Sequence, residues 1–173
     1  MINASLKYQL FDWLDVVGRV KIDNYDNRST YKAYASTGTL VSGDRGTYSD
    51  TSTQSKNTYA DAIATLNKSF NDWSVNVNLG VSLSDSRYEM IGYEGGLKLI
   101  NFFAVHNIDF NKAWKAKQSG WHDQTRAIFA NAEIGWKSMI YLTATGRNDW
   151  DSRLAFSDYK SFFYPSIGLS AIL

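Results

Sequence analysis

Cysteine is absent from this 173-residue sequence, which removes disulfides, thiolate nucleophiles and cysteine-ligated metals and leaves the compartment open. An excess of one charge is missing too. With 18 basic residues against 17 acidic ones, no broad pull toward nucleic acid or anionic lipid is implied. No apolar run reaches the ~18 residues of a transmembrane helix. The greasiest stretch, 97–105, is interrupted by Lys98 and Asn101. A strand that crosses a membrane is half polar by construction, so this absence leaves it open. Met1 runs directly into strand-like Ile2 to Gln9, without a charged n-region, apolar h-region or cleavage site. An exported protein would then have lost a signal peptide or be an internal piece of something larger. Neither HExxH nor GxSxG occurs, so zincin and serine-hydrolase chemistry have no support.

What is abundant is alternation. Trp73, Val75, Val77, Leu79, Val81 and Leu83 share one face, and Ser74, Asn76, Asn78, Gly80, Ser82 and Ser84 share the other. A period of two builds a ribbon with one greasy side and one wet side. The run is twelve residues long, twice the ~5–6 typical of globular strands. At about 3.3 Å per residue and a tilt of about 40°, it climbs close to the ~25–30 Å apolar slab of a bilayer. From Leu14 to Asp23 the pattern recurs, with Val16, Val20 and Ile22 opposite Asp15, Arg19, Lys21 and Asp23. Four charges on one face suit a water-filled lumen; a dry protein core would hide them only at large cost.

The same reading gives seven strands: 2–10, 14–23, 59–70, 73–84, 125–136, 139–147 and 162–173, the last with Pro165 near its start, where a missing N–H is tolerated. The expected lipid-facing set is Val16, Val20, Ile22, Val75, Val77, Leu79, Val81, Ile128, Ile134, Ile140, Leu142, Ile167 and Leu169. Tight turns at 11–13, 70–72 and 137–138 alternate with long loops expected at 26–56, 86–124 and 148–161. That is the asymmetry of short periplasmic turns and long external loops. Within the strand bodies, Lys68 reads as the only outward charge, placed beside a turn where its stem can snorkel. Aromatics reach 15% of the chain. Phe11, Trp13, Phe70, Trp73 and Trp136 gather at the tight-turn end and Tyr25, Tyr59, Trp150, Phe162 and Phe163 at the other, two belts for two interfaces. The expected fold is an all-β, antiparallel transmembrane barrel segment. The competing architecture is a secreted, carbohydrate-binding β-sandwich, in which Val75, Val77, Leu79 and Val81 would pack on a second sheet.

The segment Ile140-Tyr141-Leu142-Thr143-Ala144-Thr145-Gly146-Arg147-Asn148-Asp149-Trp150-Asp151-Ser152-Arg153-Leu154, followed by Ser161-Phe162-Phe163-Tyr164-Pro165-Ser166-Ile167-Gly168-Leu169-Ser170, resembles the barrel signature of SusC/RagA-type TonB-dependent transporters. Phe11-Asp12-Trp13-Leu14 leading to Gly18-Arg19-Val20 resembles an earlier strand pair of the same barrel. The resemblance implies that residues 1–173 are part of an outer-membrane barrel of about 22 strands, without its plug, TonB-contacting segment or signal peptide. It also implies a Gram-negative, Bacteroidota-like outer membrane and import of glycan fragments, peptides or other nutrients. The implied partners are a SusD-type lipoprotein, TonB through the N-terminal part, the remaining strands and plug, and outer-membrane lipids. No cofactor, nucleic acid or catalytic role is implied. Seven strands leave two open edges, which cannot face lipid alone. A passive porin-like barrel is a further alternative.

Candidate contact residues fall in two groups. Asp15, Arg19, Lys21, Asp23, Glu133 and Arg147 face the expected lumen and either meet substrate and plug or, the favoured reading, form an ion network within the wall. Tyr31, Tyr34, Tyr48, Trp114 and Trp121 lie in the expected loops and either stack on sugar rings or pack against loops and partner. His106 and His122, read as sharing one loop with Asp109 and Asp123 nearby, have no metal-ligand spacing. Asp149 and Asp151 bracket Trp150 without the marks of a glycosidase pair.

Overall fold

The computed structural model describes residues 1–38 and 41–172. Thr39 and Leu40, in the expected first loop, and Leu173, at the end of the expected last strand, lie outside the described residues. Seven strands follow one another: β1 (Ile2–Phe11), β2 (Leu14–Ala33), β3 (Thr47–Phe70), β4 (Trp73–Gly96), β5 (Trp114–Trp136), β6 (Ile140–Asp151) and β7 (Phe162–Ala171). They form one sheet in sequence order. Two short 3-10 turns, Val105–Asn107 and Ser152–Leu154, are the only helical elements among the described residues. Among the described residues, no helix is long and apolar enough to cross a membrane.

The chain divides into two units. The first comprises Met1–Asp23, Asn57–Ser86 and Asp123–Leu173. Here β1 pairs antiparallel with β2 from Ile2↔Ile22 to Phe11↔Leu14, with an irregularity between Gln9 and Phe11. Strand β5 pairs with β6 from Thr125↔Asp151 to Trp136↔Ile140, and β6 with β7 from Ile140↔Ala171 to Asp149↔Phe162. The expected tight turns are present. At 136–139 the Met139 N–H donates to the Trp136 carbonyl at 3.0 Å, with Lys137 and Ser138 at φ 51° and 56°. Both central residues therefore take the left-handed conformation that a two-residue hairpin needs, without the usual Asn-Gly pair. Asn71 at φ 50° does the same in the β3–β4 turn. Neighbouring turns are tied together by Asn67 N–H to the Trp13 carbonyl at 2.9 Å and Lys137 N–H to the Asp72 carbonyl at 2.7 Å.

The apolar side chains of this unit are uncovered. Val20, Leu79, Val81, Ile128, Ile134, Ile140, Leu142, Ile167 and Leu169 are 40–78% exposed, while Val16, Ile22, Val75 and Val77 are half-buried. Buried residues sit at the opposite parity: Asp61, Gly80, Ala127 and Gly135. Among the described residues no second sheet lies over Val75, Val77, Leu79 and Val81, because the strands all belong to the one sheet. The sandwich expectation is thereby corrected.

The second unit comprises Asn24–Lys56 and Arg87–His122, and it overturns the long-loop expectation. Strands β2 to β5 continue through much of 26–56 and 86–124, and the intervening connections shrink to 34–46 and 97–113. The third connection likewise shrinks, since β6 runs on to Asp151. Where both faces of a ladder meet water or polar groups, backbone pairing persists without any hydrophobic period to announce it. The buried apolar nucleus also lies here: Tyr48, Leu97 and Ile108, flanked by Tyr93, Phe103 and Val105. Leu97 and Ile108 form an antiparallel bridge. Asn107 clamps the connection above them, its Oδ1 accepting from Leu99 N–H at 3.0 Å and its Nδ2 donating to the carbonyls of Leu99 (2.9 Å) and Phe102 (2.7 Å). Gly46 has φ 96° and would place a Cβ 2.8 Å from the Ala33 carbonyl, so only glycine fits.

Candidate functional site

In the first unit the polar parity of the strands carries a network rather than a set of free charges. Arg19 donates through Nε and Nη2 to the two carboxylate oxygens of Asp61 at 2.9 and 2.8 Å, a fork-to-fork pair. The Asp61 carboxylate is almost wholly buried, with side-chain exposure of 1%, so its charge depends on that partner. Thr65 Oγ1 and Asn78 Oδ1 lie 2.8 Å apart, Asn78 Nδ2 donates to Asn76 Oδ1 at 2.8 Å, and Asn76 in turn reaches Asn67. Lys7 meets Asp15 at 3.1 Å, and Arg147 meets Asp149 at 2.7 Å while lying 5.8 Å from the Phe129 ring. That ring covers Gly80, where any Cβ would come within 2.2 Å of it, so the glycine is a seat for the aromatic. Lys21, Asp23 and Glu133 hold no ion pair among the described residues.

The turn-end aromatics cluster. Phe11 stacks on Trp13 with centroids 5.2 Å apart, Trp73 lies 6.4 Å from Trp136, and Lys68 and Lys137 reach 6.0 and 5.0 Å from the rings of Trp13 and Trp136. Ammonium groups over indole faces at the end of an apolar ribbon are the arrangement of a membrane-boundary girdle. Lys68 is not the only charge on the apolar parity: Arg126, two residues before Ile128, shares it and stands directly across from Trp150.

In the second unit the aromatic candidates separate. Tyr48 is buried in the nucleus and offers no ring face to a ligand, a correction to its place among the contact residues. Within a stretch that has no period, nothing in the sequence distinguishes it from Tyr31. Tyr31 is exposed; Tyr34 is exposed with its ring edge-on to Phe103 at 4.9 Å. Trp114 is exposed and edge-on to Phe110 at 5.0 Å, and Trp121 is exposed and stacked on Tyr88 at 6.0 Å. Two ion clusters have no signal in the sequence, because the strands that carry them lack a hydrophobic period. Arg28 grips Asp50 at 2.9 and 2.5 Å, with the Tyr48 hydroxyl 3.3 Å from the same carboxylate. Arg28 donation holds the Asp50 carboxyl below the usual carboxylate range against the opposing effect of burial, while burial and Asp50 push the Tyr48 phenol up. Glu94 accepts from Lys117 at 3.0 Å and faces Lys115 at 3.6 Å, and Lys117 donation lowers its pKa.

His106 lies in the 3-10 turn, edge-on to Phe102 at 5.6 Å, whereas His122 is on β5, so the two do not share a loop. No group of three or more His, Asp or Glu is placed to hold a metal among the described residues. Asp151 caps the second 3-10 turn and is gripped by Arg153, whose donation lowers its pKa to about 2.

One antiparallel sheet with tight turns, an uncovered apolar face and an internally bonded polar face defines the class: a segment of an antiparallel β-barrel wall. Comparison with solved structures agrees. The chain is similar to a chain in the structure of the RagAB peptide transporter, with TM-score 0.85, 15% identity, and 96% of this chain and 19% of that chain covered. It is similar as well to chains of the RagAB peptide importer in the open-open state (TM-score 0.87, 14% identity, 96% and 18% covered) and the closed-closed state (TM-score 0.84, 15% identity, 96% and 19% covered). The chain thus spans about a fifth of the length of the chains it matches. No family model matches it, and no curated protein does. The barrel-segment fold implied by the SusC/RagA resemblance agrees with the seven antiparallel strands of one unclosed sheet.

Proposed function

We propose that this chain is part of the wall and mouth of a SusC/RagA-type, TonB-dependent outer-membrane transporter that imports peptides, glycan fragments or other nutrients. The observation that carries the reading is the bare apolar face of a single antiparallel sheet whose backbone follows RagAB chains over 96% of its length. Hydrocarbon covers that face at no cost in unpaired polar groups, whereas water would leave the side chains of β2 and β4 to β7 unburied. The spanning parts are 2–10, 14–23, 59–70, 73–84, 125–136, 140–149 and 162–171, and lipid touches the thirteen apolar residues expected to face it. Residues 1–173 would be one piece of the barrel, with the open edges of β1 and β7 closed by the remaining strands.

Within that piece the ion pairs Arg19–Asp61, Lys7–Asp15 and Arg147–Asp149 stiffen the wall, which leaves Lys21, Asp23 and Glu133 to meet cargo or plug. Exposed Tyr31, Tyr34, Trp114 and Trp121 belong to the capturing mouth and to the docking of a SusD-type lipoprotein. TonB acts through the plug. Two measurements test this. The parent protein should sediment with outer membranes and require detergent, and a water-soluble monomer would overturn the proposal. Uptake should stop when a protonophore collapses the energy supply; uptake that continues would indicate the passive porin.

A further inference from the structure

The apolar face of the first unit is not uniform, and one of its depressions has a cation in its lining. Small side chains of β3 leave a groove of about 630 Å³ lined by Ala60, Ala62, Val81, Leu83, Ile128 and Trp150, with Arg126 at its rim. A second depression of about 590 Å³ continues it through the shared Ala62, Val81 and Ile128. Arg126 pairs in register with Trp150 across the β5–β6 ladder. Its guanidinium donates through Nε (3.1 Å) and Nη2 (2.8 Å) to a neutral acceptor, the Gln124 side-chain oxygen, and it has no carboxylate partner among the described residues. The acid that lines the groove, Asp61, is already engaged by Arg19 at 2.9 and 2.8 Å, and Asp151, in an adjoining depression, by Arg153 at 3.0 and 2.6 Å, while Asp85 accepts from Gln124 Nε2 at 3.2 Å.

We infer that this groove is a lipid site: an acyl chain lies in it, and Arg126 binds the phosphate of the same lipid. The inference rests on the membrane reading above and deepens it. An arginine at the end of an apolar ribbon sits at headgroup depth, where a guanidinium fork matches phosphate oxygens. Trp150, exposed beside it, has the amphipathic ring favoured at that boundary. Alanines at positions 60 and 62 make room that leucines would fill.

The test is native mass spectrometry of the intact detergent-purified barrel titrated with dioleoyl phosphatidic acid, with dioleoyl phosphatidylcholine, and with inorganic phosphate. Phosphatidic acid should bind more tightly than phosphatidylcholine, and inorganic phosphate should not displace it. Arg126→Gln should weaken phosphatidic acid about tenfold, and Ala62→Phe should abolish binding while Arg126 remains. If both variants fold and insert, shown by heat-modifiable mobility, yet bind phosphatidic acid like the parent, the lipid site is refuted and the transporter reading stands. Displacement by inorganic phosphate would equally refute it, leaving a bare anion contact. A barrel that needs no detergent overturns both.

Discussion

Leu79 and Ile91 lie on the same strand, β4, and are similarly exposed at 55% and 47%, but they belong to different units. Around Leu79, in the first unit, exposed apolar residues recur at every second position, and what is buried is the polar parity. Around Ile91, in the second, exposed apolar side chains are scattered, and burial is supplied internally by Tyr48, Leu97 and Ile108. Charge differs as well: the first unit carries nine basic and eleven acidic residues, the second nine basic and six acidic. Similar accessibility therefore has two meanings. One unit leaves its apolar face bare, and under the proposed function hydrocarbon completes it, whereas the other makes its own core.

Arginine at each position is the largest-effect way to break that contrast. Leu79→Arg should oppose insertion by about 2–4 kcal/mol, whereas Ile91→Arg should stay within about 0.5 kcal/mol. Urea-dependent folding of the barrel into phosphatidylcholine vesicles measures both. Equal effects would mean that the two faces meet the same medium.

The difference between the units also explains what could be read from residue order. Strands 73–84 and 125–136 stand out because apolar side chains on one face and polar or small ones on the other impose a period of two. The same strands run on to Gly96 and back to Trp114, but there that asymmetry ends, and the ladder becomes invisible to pattern. Tyr48 and Tyr31 illustrate the loss: one is core and one is surface, and only the returning 97–113 connection, which supplies Leu97 and Ile108, decides which. Arg19 was legible as a polar-face charge, but its partner Asp61 lies 42 residues away, a pairing that needs the β2–β3 alignment. Arg126 was hidden for a simpler reason: it is the first outward-parity residue of the expected strand 125–136, where a charge does not look anomalous.

Asn107→Ala sharpens the comparison from the other side. It removes three side-chain hydrogen bonds to Leu99 and Phe102 from a buried position. The expected cost is about 2–3 kcal/mol. Hydrogen exchange should speed at the amide of Leu99 and its neighbours in 97–113, with the amides of 125–136 unchanged. Loss of protection in both would show that the units do not open separately.

A smaller effect is expected within the first unit alone. Arg19→Ala strands the buried Asp61 carboxylate without its donor, while Lys21→Ala removes a charge that has no ion-pair partner among the described residues. The first should lower the heat-unfolding midpoint of the barrel more than the second. The reverse order would place Lys21, and not Arg19, in the wall network.

The smallest effect is a pH dependence that begins in the second unit. Because Arg28 lowers the Asp50 pKa in the folded state, the unfolded chain binds the proton more readily. Stabilisation from this pair is therefore complete above the ordinary carboxylate pKa of about 4 and fades as the pH falls through the lower folded value. The phenol of Tyr48, raised by burial, stays protonated throughout and reports the change through its fluorescence. Acidification below about pH 4 should loosen the Tyr48 nucleus before the strands of the first unit respond, and Asp50→Asn should remove this step. A transition that survives Asp50→Asn would assign it to another carboxylate, with Glu94 next in line because Lys117 lowers its pKa too.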